Sequence, residues 1–247
     1  MSLWSGSFED VDLAEAYAYP PGRPWLRANM IASLDGAAWW GDRTGPLGDE
    51  NDRRLFQVLR ALADVVIVGA GTVRIEGYGP VRSRPEWAAL RAGRPPVPPL
   101  AVVSRALNLD FDAPLFTAAE QRTIVLTTEA APASQRKLAE ARADVIVAGH
   151  DSINIRAAVD ELVARGHQRL LCEGGPILLA EIAAAGLVDE LCLTLSPVVL
   201  AGDAARILNG TPLPVPAAYR LARAVKGGEH LFLRYVVQQD GGETPTN

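Results

Sequence analysis

The chain has 247 residues, a formal net charge of −5 and 49 % hydrophobic residues, which suits one large α/β domain or two small ones. It has no basic block, so nucleic acid is not expected as a partner, because neutralising phosphates requires clustered lysine and arginine. It shows no signal peptide and no apolar run of transmembrane length, so we expect a cytoplasmic protein that does not bind membranes.

The cysteines and histidines match no disulfide or metal-binding pattern. Cys172 and Cys192 each lie in an apolar run, where a buried cysteine behaves as a small hydrophobic residue. The three histidines, at positions 150, 167 and 230, are not paired at the spacing of metal ligands. We therefore expect no bound metal.

The first 48 residues predict an arm, a strand and a loop. Residues 1–24 end in a proline-rich stretch and are predicted to form an extended arm with little regular structure. Residues 25–31 predict the first strand, and Ser33-Leu34-Asp35-Gly36 predicts a turn. Residues 37–48 carry two tryptophans on a glycine-rich loop, which either covers a ligand or packs on the domain's own surface.

A helix, a strand and a glycine junction follow. Asp49 is typical of a helix N-cap, and apolar residues recur at helical spacing up to Leu62. Residues 64–68 predict a buried strand that runs into Gly69-Ala70-Gly71-Thr72 and a short helix. Arg74 replaces the third glycine of a GxGxxG dinucleotide motif, but the amide and hydroxyl groups of this junction still suit a phosphate or ribose.

Strands and helices alternate through the middle of the chain. After a proline-rich loop over 77–99, a strand over 100–103 ends in Ser104-Arg105, which either holds a ribose 2′-phosphate or forms an ordinary loop ion pair. The next predicted elements are a strand over 123–127, a helix over 132–142, a strand over 144–148 and a helix over 155–164.

The stretch from 169 to 197 is a second strand–glycine–helix unit. The apolar run 170–172 leads through Glu173 and Gly174-Gly175 to Pro176, a helix start signal. The two glycines either let a ligand phosphate approach bare amides at the helix N-terminus or form a tight turn that requires glycine. Gly186 is placed to end the helix, before a strand over 188–195.

The C-terminal part predicts an irregular segment to about residue 216 and then a hairpin of strands over 219–225 and 230–237. The alternation of strands and helices predicts an α/β fold with a mostly parallel central sheet covered on both faces. We expect one domain over 25–237 and a disordered tail over 238–247.

Four segments occur in an order that resembles a known family. They read SLDG at 33–36, LRALADVVIVGAGTVR at 59–74, CEGGPILL at 172–179 and LVDELCLTLSPVVLAG at 187–202. Together they are similar to the reductase domain of the riboflavin pathway, the pyrimidine reductase family. The resemblance implies the dihydrofolate-reductase-like fold, a three-layer sandwich, and a homodimer, for which strand 188–195 offers an apolar edge.

The resemblance also implies NADPH as the cofactor. Its contacts would lie at the carboxyl ends of strands, which agrees with the glycine and serine junctions above. The predicted cofactor-binding residues are Ile31, Gly71, Thr72, Glu76, Ser104, Arg105, Gly174, Gly175, Pro176, Ile177 and Leu178.

The family's reaction reduces the ribose of a 5-amino-6-ribosylaminouracil 5′-phosphate to ribityl, by hydride delivery to an imine-like carbon opened from the sugar ring. This step needs a proton source or a polar network beside that carbon. Asp35 and Glu173 are the predicted catalytic residues, although Asp35 also suits a plain turn and Glu173 also suits a role in orienting the substrate. The predicted substrate-binding residues are Asn29, Ser33, Thr44, Arg60 and Arg82.

The chain departs from the family pattern at the substrate side. Asn29 stands where the family usually has lysine, and Glu76-Gly77-Tyr78-Gly79-Pro80 replaces an acidic-Asn-Pro run. The small-molecule substrate therefore either lacks a phosphate or binds it through Arg82 or Arg84. The chain has no zinc-deaminase elements, so it resembles a stand-alone reductase. The alternatives are a dihydrofolate-reductase-like activity on a pterin, and a non-catalytic NADP-binding protein.

Overall fold

A computed structural model describes residues 4–41 and 43–238. The strands are β1 (Trp4–Ser7), β2 (Trp25–Ala32), β3 (Val65–Gly69), β4 (Leu100–Val103), β5 (Ile124–Thr127), β6 (Asp144–Val147), β7 (Arg169–Cys172), β8 (Glu190–Leu195), β9 (Tyr219–Gly227) and β10 (His230–Val237). The helices are α1 (Leu13–Ala16), α2 (Glu50–Leu62), α3 (Ala70–Glu76), α4 (Pro114–Thr117), α5 (Ala133–Arg142), α6 (Ile155–Ala164) and α7 (Pro176–Ala184), with 3₁₀ turns at Phe8–Asp10, Gly45–Leu47 and Pro85–Trp87.

All ten strands form one sheet in the order β1-β9-β10-β8-β2-β7-β3-β4-β5-β6. The run from β8 to β6 is parallel, and β9 and β10 form an antiparallel hairpin. The central strands are short apolar runs such as Val65–Val68, which is buried along its whole length, because helices cover both faces of a parallel sheet. The predicted α/β fold with a C-terminal hairpin is confirmed.

Two apolar cores, one on each face of the sheet, complete a three-layer sandwich. One core includes Leu55 and Leu59 of α2 together with residues of α1, α3, α4 and α5. The other includes Leu162 of α6 and Leu178 of α7. Along β2 and β7, alternate residues therefore face α2 on one side and α6 and α7 on the other.

The expectation that the N-terminal arm has little regular structure is wrong for residues 4–16. β1 pairs in parallel with β9 and adds a strand outside the hairpin. Phe8 is buried with its ring 4.7 Å from that of Phe232 on β10, and Tyr17 lies in the same core as α2. The apolar side chains of this segment pack on the sheet. The sequence did not indicate this, because the segment is short and flanked by polar residues.

The strand offered as a dimer edge is not an edge. β8 lies between β2 and β10 and pairs with both, because the C-terminal hairpin adds to its free side. The edges among the described residues are β1 and β6. The predicted disordered tail lies outside the described residues except for Gln238. No helix within the described residues is both long and apolar enough to span a membrane.

Candidate functional site

The two glycine junctions predicted from sequence meet at the carboxyl ends of β3 and β7. The Gly69 N–H donates to the Gly174 carbonyl over 2.8 Å. A Cβ added to Gly175 would lie 2.6 Å from Thr72 Oγ1, and one added to Gly174 would lie 3.1 Å from Met30 Sδ. The peptide bond between Gly174 and Gly175 is cis. Glycine is required here because two chain segments approach each other without room for side chains.

The start of α7 presents free backbone amides beside this junction. Gly175 is the N-cap and Pro176 the first helical residue, so the amides of Ile177 and Leu178 have no acceptor within the helix. Gly71, at the start of α3, has no atom within 4 Å of an added Cβ. This cradle of glycines and helix amides fits an anionic group such as a dinucleotide pyrophosphate.

Ser104 and Arg105 follow β4 on the same edge of the sheet. Ser104 is buried, and its N–H donates to the Leu126 carbonyl over 2.9 Å. Arg105 is exposed. Burial raises the pKa of Glu181 on α7, and the positive charge of Arg105 partly offsets this. The charge of Arg105 therefore acts on Glu181 of α7.

Glu173, directly after β7, is the centre of a buried polar cluster on the α2 side. Arg60 Nε donates to Glu173 Oε1 and Arg60 Nη2 to Glu173 Oε2, both over 2.7 Å, and the Tyr78 hydroxyl donates to Oε2 over 2.9 Å. Burial disfavours the charge of Arg60, but Glu173 outweighs it and the pKa of Arg60 is raised. Burial, reinforced by the Glu173 charge, holds the pKa of Tyr78 well above its usual value.

Asn29 and Ile31 of β2 line the sheet next to this cluster. Ala28 is in register with Cys172. The next residues, Asn29 and Glu173, therefore lie side by side on neighbouring strands, and both side chains face α2. Asn29 Oδ1 is buried without a hydrogen-bond partner among the described residues. A buried unpaired amide oxygen is costly, which indicates that a bound molecule or a water completes this site.

Asp35 and Ser33 hold a loop instead of facing the Glu173 cluster. The Ser33 hydroxyl donates to Asp35 over 2.5 Å, and the amides of Leu200 and Ala201 donate to it over 3.1 and 2.6 Å. The Ser33 bond, followed by the Ala201 amide, lowers the pKa of Asp35. The carboxylate thus ties the loop after β8 to the end of β2.

Thr44 and Glu76 come together, whereas Arg82 stays apart. The Thr44 N–H donates to Glu76 Oε1 over 2.8 Å, which anchors the tryptophan-bearing loop to the end of α3. Trp40 on this loop is 53 % exposed. Arg82 is exposed and forms no hydrogen bond or ion pair with the residues that the structure describes.

Sequence reasoning missed three polar groups at the site. Tyr78 belongs to the segment 76–80 that departs from the family pattern, but the sequence assigns it no role. Thr194 lies in a segment that predicts only a strand. Asp52 lies four residues before Phe56 and eight before Arg60 on α2. That helical spacing was the available signal, since residues i, i+4 and i+8 share a face.

The fold, with its glycine junctions at strand ends, is dihydrofolate-reductase-like. A dihydrofolate reductase of Enterococcus faecalis, solved in complex with NADP(H), has the same fold with a TM-score of 0.52 at 14 % identity, covering 87 % of this chain and 97 % of that chain. A pyrimidine reductase-like protein of Corynebacterium diphtheriae has a TM-score of 0.84 at 30 % identity, covering 93 % of this chain and 100 % of that chain.

The family model of the RibD C-terminal domain matches residues 24–233, so the chain belongs to that family. Relatives include 2,5-diamino-6-ribosylamino-4(3H)-pyrimidinone 5′-phosphate reductases. The protein of Archaeoglobus fulgidus is 29 % identical over 192 residues, which cover 76 % of this chain and 87 % of the relative. That of Methanothermobacter thermautotrophicus is 27 % identical over 221 residues, which cover 87 % and 99 %.

Proposed function

We propose that the chain is an NADPH-dependent reductase that converts the ribosyl group of a 6-ribosylaminopyrimidine 5′-phosphate to ribityl. The names of its relatives support this substrate class. The observation that carries the proposal is the arrangement at the end of β7. Glu173 faces the polar cluster on the α2 side, while the next residues, Gly174 and Gly175, lie at the junction with Thr72. A substrate and a dinucleotide bound to these two surfaces meet at one strand end.

The residues of the glycine junction fit the cofactor. The amides of Ile177 and Leu178 would bind its pyrophosphate, while Ser104 and Arg105 would bind the 2′-phosphate. Thr72, Glu76 and Ile31 would line the nicotinamide end. When bound, the dihydronicotinamide supplies the hydride.

The residues of the Glu173 cluster fit the substrate. The Glu173 carboxylate, held by Arg60 and Tyr78, would accept hydrogen bonds from the amino and ring N–H groups of the pyrimidine. The Asn29 amide would pair with the same ring, which gives its buried oxygen a partner. Arg82, which is exposed on the loop after α3, would bind the substrate phosphate, and the loop that carries Thr44 would close the other side.

Calorimetric titration tests the cofactor part of this proposal. We expect NADPH to bind more tightly than NADH by about tenfold or more, because a charge-assisted hydrogen bond contributes about 1.5–3 kcal/mol. Arg105→Ala should reduce the difference in affinity between NADPH and NADH. Arg142→Ala, which removes an exposed arginine paired with Asp112, should leave it unchanged.

Turnover assays test the substrate part. NADPH oxidation should require a ribosylaminopyrimidine phosphate and should not occur with dihydrofolate. Binding of NADPH without turnover of any aminopyrimidine would contradict the proposed reaction but not the proposed cofactor site. Failure of both nucleotides to bind would show that the glycine junctions are structural turns.

A further inference from the structure

The proposed reaction needs a proton donor that neither predicted acid provides. Opening the ribose ring breaks the C1′–O4′ bond, and O4′ takes up a proton as it leaves. Glu173 accepts three hydrogen bonds from Arg60 and Tyr78, and Asp35 accepts from a hydroxyl and two backbone amides. Each carboxylate is an acceptor toward every partner it has among the described residues, so these contacts suit binding and not proton donation.

A third carboxyl group, Asp52, lies on the face of α2 that carries Arg60. Asp52, Phe56 and Arg60 are spaced by four residues and form one stripe along the helix. The Arg60 guanidinium stacks over the Phe56 ring at 4.2 Å and reaches Glu173. At the other end of the stripe, the Asp52 carboxyl lies near the hydroxyl of Thr194 on β8, which lowers its pKa. The stripe therefore runs from the end of β7 to the end of β8.

The strand between those two ends is β2, which carries the unpaired Asn29. Thr194 is in register with Ile31, two residues beyond Asn29, so Asp52 lies beside the surface proposed to hold the substrate. The loop before α2 covers the carboxyl, since a Cβ added to Gly48 would be 2.7 Å from Asp52 Oδ2. Asp52 forms no ion pair with any residue of the described ranges.

The charges around Asp52 are few. Asp49, the N-cap of α2, and Arg53 within α2 act on it from its own segment, and His230 acts on it from β10. Burial is the largest influence and raises the pKa of Asp52. The Thr194 hydroxyl lowers this pKa, the Asp49 charge raises it, and the charges of His230 and Arg53 lower it. A half-buried carboxyl of this kind holds its proton to a higher pH than an exposed aspartate.

We propose that Asp52 is the catalytic residue that protonates O4′ as the ribose ring opens. This inference rests on the proposed function, whose reductant is a dihydronicotinamide. The electron pair of the C1′–O4′ bond goes to O4′, which takes the Asp52 proton, and the lone pair of the exocyclic nitrogen forms a C1′=N bond. Addition of hydride at C1′ returns that pair to nitrogen. The Asp52 carboxylate then regains a proton from water.

The test compares Asp52→Asn and Asp52→Glu with Glu50→Gln, which removes an exposed acid two residues earlier on the same helix. With a ribosylaminopyrimidine phosphate, Asp52→Asn should lower kcat about 10²- to 10³-fold while NADPH affinity stays unchanged. Asp52→Glu should retain part of the rate. The wild-type rate should fall as the pH rises above the pKa of Asp52, and this limb should disappear in Asp52→Asn. Glu50→Gln should match the wild type.

A second measurement does not depend on turnover. In ¹³C NMR of the aspartate carboxyl carbons, one resonance should titrate above the usual aspartate range and should be missing from Asp52→Asn. The inference is overturned if the wild type turns over and Asp52→Asn keeps kcat within threefold, or if no such resonance exists. Lack of turnover by the wild type with every aminopyrimidine contradicts the proposed function itself, which separates the two failures.

Discussion

Two arginine–glutamate clusters in this molecule have the same chemistry and different surroundings. Glu190 on β8 accepts bidentate hydrogen bonds from both Arg27 and Arg234 and one from the Trp25 indole. Burial alone would raise the pKa of Glu190, but the two arginines lower it to about 2. Glu173 accepts from one arginine and one tyrosine at the end of β7.

The position along the strand separates their roles. The side chains of Glu190 and Arg27 are both 0 % exposed, and Tyr19 stacks on the Arg27 guanidinium at 4.1 Å. Arg234, 19 % exposed, is the arginine of this cluster that reaches the surface. Glu173 lies at a strand's carboxyl end, where open α/β sheets bind ligands, whereas Glu190 is the first residue of its strand. The Glu190 cluster joins the N-terminal segment to the sheet, and the Glu173 cluster leaves hydrogen-bonding capacity for a ligand.

The largest effect on stability is expected from Glu190→Gln. The variant leaves two arginines without their carboxylate, and breaking a buried pair costs about 3–5 kcal/mol. Urea unfolding at pH 7 measures this loss. The exposed pair of Glu161 and Arg165 provides the control, since Glu161→Gln should change the free energy of unfolding by less than about 0.5 kcal/mol. Equal losses in the two variants would contradict the structural role of Glu190.

The stability difference between the wild type and Glu190→Gln should depend on pH. Because the folded-state pKa of Glu190 is lowered, its stabilising effect is present above the unfolded-state pKa of about 4.3. It is lost as the pH falls toward about 2. The difference between wild type and Glu190→Gln should therefore shrink across that acid range.

Glu173→Gln should affect function more than stability. Glutamine still accepts a hydrogen bond from Arg60, whose guanidinium also stacks on Phe56, so the loss in unfolding free energy should be smaller than for Glu190→Gln. The value of kcat/KM should fall about 10- to 150-fold, because a charge-assisted hydrogen bond contributes about 1.5–3 kcal/mol. Steady-state NADPH oxidation and urea unfolding measure the two quantities. A fold change under threefold would argue against a substrate contact.

The smallest effects are expected from a pair of tyrosine variants. Tyr78→Phe removes the hydroxyl that bonds Glu173 and should raise KM by less than about tenfold, since a single hydrogen bond contributes about 1 kcal/mol. Tyr19→Phe removes a hydroxyl that donates to the Leu170 carbonyl. Tyr19→Phe should lower the free energy of unfolding by about 1 kcal/mol as well, but it should leave KM unchanged. An unchanged KM in Tyr78→Phe would place that tyrosine outside the substrate site.

The sequence by itself determined the local features of this protein. The N-cap at Asp49, the helix start at Pro176 and the terminal hairpin follow from backbone preferences within a few residues. Gly174 and Gly175 stood out for the same reason, since a strand–glycine–helix junction is a local pattern.

Only the tertiary structure decided which side chains meet. Arg60 and Glu173 are 113 positions apart, and both were identified as site residues, but their pairing depends on α2 crossing the face of β7. The central place of β8 depends on the hairpin that follows it. The docking of Phe8 and Tyr17 depends on β9 and β10. Strand order and register arise from contacts distant in sequence, so residue spacing along the chain cannot specify them.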